Sequence, residues 1–136
     1  MTAPAPVLAH VTAVRDLLDA QLPAAVTVEV GSAPAGQVPP YAVIYPDPGM
    51  PEGTLGDRHR DLLLEFQVTC VGTGQAQAQD VADRVRAVLL TWTPAVAGRT
   101  VQPLWQVVSG ERVRRDDDVN PPLYYLPLIF QMRTGP

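Results

Sequence analysis

The sequence predicts a single α+β domain in which a mainly antiparallel β-sheet carries two helices packed on one face and a long β-hairpin arm. Two observations support this prediction. Residues 62–71 alternate between apolar and more polar side chains, which is typical of a half-buried strand. Residues 79–92 then place apolar side chains at helical spacing, which predicts an amphipathic helix over residues 76–92. Gly72-Thr73-Gly74 forms a tight link between the two elements.

The chain before this pair predicts one more helix and two more strands. Val7, Val11, Val14 and Leu18 form a helical stripe, so we expect a first helix over residues 7–21 that ends before Pro23. Alternating valines in residues 26–30 and a β-branched and aromatic run at 41–45 predict two strands. Residues 46–60 are rich in proline and glycine and offer no evident core position. If strands 41–45 and 62–71 pair antiparallel, this segment is a hairpin arm that is extended or poorly ordered in the isolated subunit.

The C-terminal part predicts two further strands separated by a charged loop. We expect a strand at residues 101–108, a loop over 109–122 and a last strand at 123–132. Pro127 lacks an N–H donor, so its place in the last strand predicts a sheet edge or a bulge. The predicted core collects the apolar side chains that these patterns turn inward: Leu64, Phe66, Val68, Val85, Leu89, Trp92, Leu128 and Phe130.

Composition limits the class of function. A chain of 136 residues with 46% hydrophobic residues can bury the core of one domain, so we expect one domain over residues 1–136. The net charge of −4 argues against a dedicated nucleic-acid binder, because such proteins depend on clustered cations. No apolar run reaches the roughly 20 residues of a membrane span, and residues 1–10 do not resemble a signal peptide. We therefore expect synthesis in the cytoplasm and no membrane partner.

The sequence offers no convincing catalytic, cofactor or metal site. His10 and His59 are far apart in the chain, and Cys70 lies on the apolar side of its strand, where it is expected to be a buried small hydrophobe. The Gly72–Gly74 link lacks the third glycine and the lysine of a phosphate-binding loop. The consecutive carboxylates of residues 116–118 lack the alternating ligand spacing of a calcium loop. We therefore predict no catalytic residue, no cofactor and no metal.

The charged segment Arg112–Asp118 and the arm are the predicted contact surfaces. The charged segment holds both signs of charge, and such a patch can bind a copy of itself head to tail. Since the helical stripes and strand faces account for nearly all apolar residues, we expect this contact to depend on charge and to lack an exposed apolar patch. The predicted interface residues are Arg58, Arg60, Arg112, Arg114, Arg115, Asp116, Asp117 and Asp118.

The order of these parts resembles the tail terminator proteins of long-tailed bacteriophages, which are also called tail completion proteins. The resemblance covers nearly the whole chain. It includes a strand with a Val-x-Cys-x-Gly-like end, a helix with an Asp-x-Val-Arg-like centre, an Arg-x-Asp element and a Tyr-Tyr element. In this sequence they are Val68-Thr-Cys70-Val-Gly72, Asp83-Arg-Val85-Arg86, Arg114-Arg-Asp116 and Tyr124-Tyr125.

The resemblance implies a structural virion protein at the head–tail junction. Such a protein forms a homohexameric ring that caps the tail tube, stops its polymerisation and presents a surface to the head–tail connector or neck protein. An acidic ring is compatible with DNA passing through its lumen without binding. Two alternatives stay open: a neck or head-completion protein on the connector side, and a small-molecule-binding or enzymatic α+β domain.

Overall fold

A computed structural model describes residues 3–107 and 110–136. The elements follow the chain in this order: α1 (Val7–Gln21), β1 (Thr27–Val30), β2 (Tyr41–Pro46), β3 (Met50–Glu52), β4 (Asp61–Gly72), α2 (Gln75–Thr91), β5 (Thr100–Val101), β6 (Trp105–Val107), β7 (Arg114–Asp116) and β8 (Leu123–Gly135). The α+β class is confirmed, and both predicted helices lie within one residue of their expected bounds.

The strands form one mixed sheet in the order β1-β2-β4-β8-β5. β3 adds to β4 beyond the end of β2, and β6 and β7 add to β8. Only the β1–β2 pair is parallel among the pairs in the described residues. The central pair is β4 with β8, which runs in continuous register from Leu62 opposite Thr134 to Gly72 opposite Tyr124. The sheet is therefore mainly antiparallel, as predicted.

Both helices pack on one face of this sheet. Alternate residues of β4 point to that face and are buried, and Phe66 stacks on Phe130 of β8 with ring centroids 5.8 Å apart. The apolar stripes of α1 and α2 close the same core. At about 1.5–3 kcal/mol for each fully buried aliphatic side chain, this packing decides whether the helices form. Seven of the eight predicted core residues are buried: Leu64, Phe66, Val68, Val85, Leu89, Leu128 and Phe130.

Trp92 is the error in the predicted core, since 52% of its surface is exposed. The helical spacing that placed it inward ends at Thr91. Trp92 caps the helix with extended backbone angles of φ −103° and ψ 148°, so its side chain no longer follows the helical stripe.

The link between β4 and α2 is a tight turn, as predicted. Gly72 lies so close to the start of α2 that a Cβ at this position would come within 2.6 Å of the Ala78 backbone nitrogen. The turn therefore requires glycine because a larger residue would push the helix off the sheet.

The outer edge of β8 is divided among three short strands. The predicted strand over residues 101–108 is instead two short strands, β5 and β6, separated at residues 102–104, and residue 108 lies outside the described residues. The predicted loop over 109–122 contains strand β7, and residue 109 is likewise outside them. Pro127 pairs with Thr69 on one side and lies between the β6 and β7 pairings on the other. The edge position predicted for Pro127 is thus confirmed for that stretch of β8.

Candidate assembly surfaces

The predicted charged segment folds as a hairpin on the end of β8. Arg114, Arg115 and Asp116 of β7 lie opposite Tyr125, Tyr124 and Leu123. The sequence signal for a strand was weak here, because three charged residues without an apolar anchor form β7 through its pairing with β8. The backbone nitrogen of Asp118 donates to the Asp116 carboxylate at 3.0 Å and orders the turn that follows.

Two arginines of this hairpin already have partners within the chain. Arg114 lies 3.3 Å from the Glu111 carboxylate, and Arg115 lies 2.6 Å from the Asp117 carboxylate. The Arg115 guanidinium also sits 5.9 Å from the centre of the Tyr124 ring, within the range of a cation–π contact. These pairs are exposed, and exposed pairs contribute only about 0.2–1 kcal/mol each. They orient the charges more than they stabilise the fold.

Arg112 and Asp118 differ from their neighbours. Both are exposed, and neither side chain has an ion pair or hydrogen bond within the part of the chain that the structure describes. Arg112 lines a polar groove of 740 Å³ together with Gln75, Gln79 and Arg86 of α2. These two charges are therefore available to a partner.

The arm is an extended hairpin whose base belongs to the sheet. Met50–Glu52 pairs with Asp61–Leu63, so the arm runs along β4 before it turns. No residue between 46 and 60 is buried, which agrees with the absence of a core position in the sequence. At the tip, Thr54 and Asp57 exchange backbone hydrogen bonds of 3.1 and 3.2 Å around Leu55-Gly56.

The two arginines predicted as contacts lie in the returning limb of the arm. Arg60 is 3.7 Å from the Asp61 carboxylate, and its carbonyl oxygen accepts a 3.0 Å hydrogen bond from Arg99. Arg58 is exposed and makes no ion pair within residues 3–107 and 110–136. The structure therefore separates a fixed arginine at the arm's base from an unpaired arginine near its tip.

The structure does not bring the arm and the charged hairpin together within one chain. The arm extends from the Asp61 end of β4, whereas β7 pairs with the part of β8 that lies opposite Val71 and Gly72. Ten residues of extended strand separate these ends, which is roughly 30 Å. The predicted interface is thus two surfaces at opposite ends of the subunit.

An apolar groove that no sequence pattern indicated lies beside the charged hairpin. The groove has a volume of 540 Å³ and joins the loop before β2 to the turn before β8. Val38 in its wall is 75% exposed, and Val119 is 40% exposed. The expectation that little apolar surface remains is therefore wrong. Both valines lie in turn-rich segments without a period, so no pattern assigned them to a face.

The sheet face without helices carries a small apolar cluster next to this groove. Tyr41, Val43 and Val71 are buried there, and Tyr125 packs against them. Burial raises the pKa of Tyr41, and the nearby Tyr45 and Asp116 raise it further. This cluster connects the apolar groove to the Asp116 end of the charged hairpin.

Comparison with known families decides the assignment of the chain. The family model described as tail completion protein gp17 matches residues 7–121, which include both helices, the arm and the charged hairpin. The chain belongs to this family. The matched range runs from the start of α1 through strand β7, so it includes both surfaces described above.

Solved structures of a virion chain and of a bacteriophage protein share the fold of this tail completion protein. A chain of the virion of a native gene transfer agent particle superposes with a TM-score of 0.68 at 17% identity, covering 92% of this chain and 93% of that chain. The gp17 protein of bacteriophage SPP1 superposes with a TM-score of 0.53 at 20% identity, covering 96% and 92%. No curated protein sequence matches significantly.

Cys70 and His10, whose side chains are of types that enzymes often use in catalysis, are both buried in the core of this tail completion protein. Burial raises the pKa of the Cys70 thiol to about 12, so the thiol stays protonated at neutral pH. His10 is buried between α1 and β8 and is hydrogen-bonded through both ring nitrogens. Residues 3–107 and 110–136 contain no group of three or more His, Cys, Asp or Glu that could hold a metal ion. In the same ranges, no helix is long and apolar enough to cross a bilayer.

Proposed function

We propose that this chain forms a homohexameric ring that caps the phage tail tube, ends tube polymerisation and presents a surface to the head–tail connector. The observation that carries the proposal is the match of the tail completion family model to residues 7–121. In this role residues 1–136 act as one structural, non-catalytic domain. The protein is made in the host cytoplasm and takes its place in the virion at the head–tail junction.

The distribution of surfaces supports a protein with several neighbours. A subunit in a ring must contact a copy on each side, and the arm and the charged hairpin lie at opposite ends of the sheet. Contacts with the tube and the connector need further surfaces. Leu90 and Trp92 at the end of α2 offer one, because they are 45% and 52% exposed. The net charge of −4 favours a lumen that DNA crosses without binding, because like charges repel the phosphates.

Polymerisation of purified tail-tube protein tests the proposal. Increasing amounts of the tail completion protein should shorten the tubes, and electron microscopy should show a ring at the tube end. Arg84→Glu on the exposed side of α2 is a suitable control, because Arg84 contacts only Asp80 of its own helix in the described structure. Tubes of unchanged length would contradict the proposal. Binding to the connector without any effect on tubes would instead indicate a neck protein.

A further inference from the structure

The tip of the arm presents one apolar side chain to solvent. Leu55 is 96% exposed and occupies the first of the two central positions in the turn closed by Thr54 and Asp57. The turn is closely fitted, because a Cβ on Gly53 would collide with the carbonyl oxygen of Asp57. The backbone that carries Leu55 is therefore defined, which reduces the backbone entropy that would be lost when the side chain binds.

The apolar groove at the other end of the sheet is a suitable receptor for such a side chain. We call it the Val38 groove. Its apolar lining includes Ala33, Pro34, Val38, Pro39, Val119 and Leu123. Prolines and a β-branched valine lose little side-chain freedom on contact, so the groove is also preorganised.

The charges beside the two features are complementary. Arg58 lies three residues from Leu55 and has no ion pair among the described residues. Asp118 precedes Val119 of the groove, and its carboxylate has no partner there either. An arginine and a carboxylate that border the leucine and the groove would pair when the leucine enters.

We propose that Leu55 of one copy inserts into the Val38 groove of the next copy, with Arg58 pairing to Asp118. Leu55, which we call the knob, and the Val38 groove lie at opposite ends of β4. They are roughly 30 Å apart, so one chain cannot make this contact with itself. Each copy offers one knob and one groove. Such a contact is heterologous and closes into a ring when the rotation between copies permits. The inference rests on the proposed function in taking a second copy as the occupant.

Cysteine coupling between differently substituted copies tests the contact. The Leu55→Cys variant is mixed with the Val38→Cys variant. In a parallel control, it is mixed with the Leu8→Cys variant. Leu8 is 76% exposed and Val38 is 75% exposed, so the two thiols are matched in accessibility. Cys70 stays silent in all variants because it is buried and its pKa is raised to about 12. Docking raises the effective concentration of the facing thiols, so we expect disulfide formation with Val38→Cys at least about ten times faster than with Leu8→Cys.

The double variant Leu55→Cys with Val38→Cys gives a second reading. It should form a ladder of covalent oligomers, whereas each single variant stops at a dimer. Arg58→Asp should slow the coupling, and Asp118→Arg in the other copy should restore it. Equal rates with Val38→Cys and Leu8→Cys would overturn the contact, as would coupling of Leu55→Cys to the tube protein in place of the second copy.

Tube assays on the unsubstituted protein separate this inference from the proposed function. Shortened tubes together with equal coupling rates would leave the proposed function standing and reject the contact. A covalent ladder together with unaffected tubes would confirm head-to-tail association and reject the role in tube termination.

Discussion

His10 is a buried histidine that connects the start of the chain to its end. Its Nδ1–H donates to the Pro6 carbonyl oxygen at 2.8 Å, so Nε2 accepts the 2.7 Å hydrogen bond from the Thr134 hydroxyl. Arg99 donates to the carbonyl oxygen of Thr134 at 3.1 Å. This arrangement stabilises the neutral imidazole, because burial lowers the pKa of His10 and the Arg99 charge lowers it further, against the opposing effect of the Pro6 hydrogen bond.

The lowered pKa predicts a loss of stability in mild acid. The unfolded chain binds a proton at His10 near pH 6.5, whereas the folded chain binds it only at lower pH. The contribution of His10 is therefore fully present above pH 6.5 and is lost as pH falls from 6.5 toward the folded pKa. The loss is at most about 1.4 kcal/mol at pH 5.5. Urea unfolding of wild type and His10→Gln at pH 7.5 and 5.5 measures it.

The variant should show a smaller fall in unfolding free energy than wild type between these pH values. His59→Gln controls for the removal of a histidine as such, since His59 lies in the arm and not in the core. An equal fall in wild type and His10→Gln would show that the carboxylates alone cause the acid sensitivity.

Single residues were predictable where a period fixed their side. The alternation in β4 correctly predicted that Phe66 and Cys70 are buried, and the helical stripe correctly predicted the burial of Leu89. The predicted burial of Trp92 was wrong because a helical period does not show where the helix ends. The role of His10 was not predictable either, because its partner Thr134 is distant in sequence and lies at the end of a strand.

Helix α2 is the element in which adjacent leucines have opposite environments. Leu89 is 1% exposed, and Leu90 is 45% exposed. Leu89→Ala removes buried methyl groups and leaves a cavity, so we expect a loss of about 2–5 kcal/mol. Leu90→Ala on the same turn should change the unfolding free energy by less than about 0.5 kcal/mol. Chemical denaturation measures both, and similar losses would contradict the docking of α2.

The arm is the element whose removal should separate folding from assembly. Deletion of residues 49–57 removes β3 and the tip but no buried residue. We expect a nearly unchanged melting temperature, together with failure of ring or tail assembly. Calorimetry and the tube assay measure the two effects. A large fall in melting temperature would show that the pairing of β3 with β4 is part of the cooperative fold.

Elements with a strong local period were predicted well, and those formed by pairing were not. Strand β4 and both helices have patterns that fix their type and approximate bounds. Strands β3 and β7 are each three residues long and mostly exposed. Their backbone groups pair because β4 and β8 extend past their other partners, and no property of the short segments reveals this in advance.

At the scale of the whole molecule, charge should contribute to association alongside the apolar contact. Reversal of Arg114 and Arg115 to Glu places like charges beside Glu111 and Asp117, and we expect assembly to fail while the subunit stays folded. The assembled ring should also weaken with added salt, because dissolved ions screen the attraction between exposed charges. The screening length is about 8 Å at physiological ionic strength and shortens as salt is added. Sedimentation at low and high salt measures both effects. Normal assembly by the double variant would assign the contact to the apolar surfaces.

The charged segments were visible in the sequence, but their arrangement on the subunit was not. The charged residues were evident from composition, whereas their separation into two ends depends on the register between β4 and β8. The Val38 groove joins segments near residues 38 and 119, which only the folded sheet brings together. A sequence pattern describes neighbours along the chain, and a subunit surface combines distant ones.

The division of the outer edge of β8 into three short strands restricts how copies can meet. A long, unpaired strand edge templates the addition of another strand and leads to fibrous aggregates. In the described residues, β3, β5, β6 and β7 each offer at most three residues of edge, and β1 offers four. None provides a run long enough for stable strand addition. If copies assemble as proposed, the short edges protect them against growth into fibres at high local concentration, and the arm tip and the grooves remain for ordered contacts.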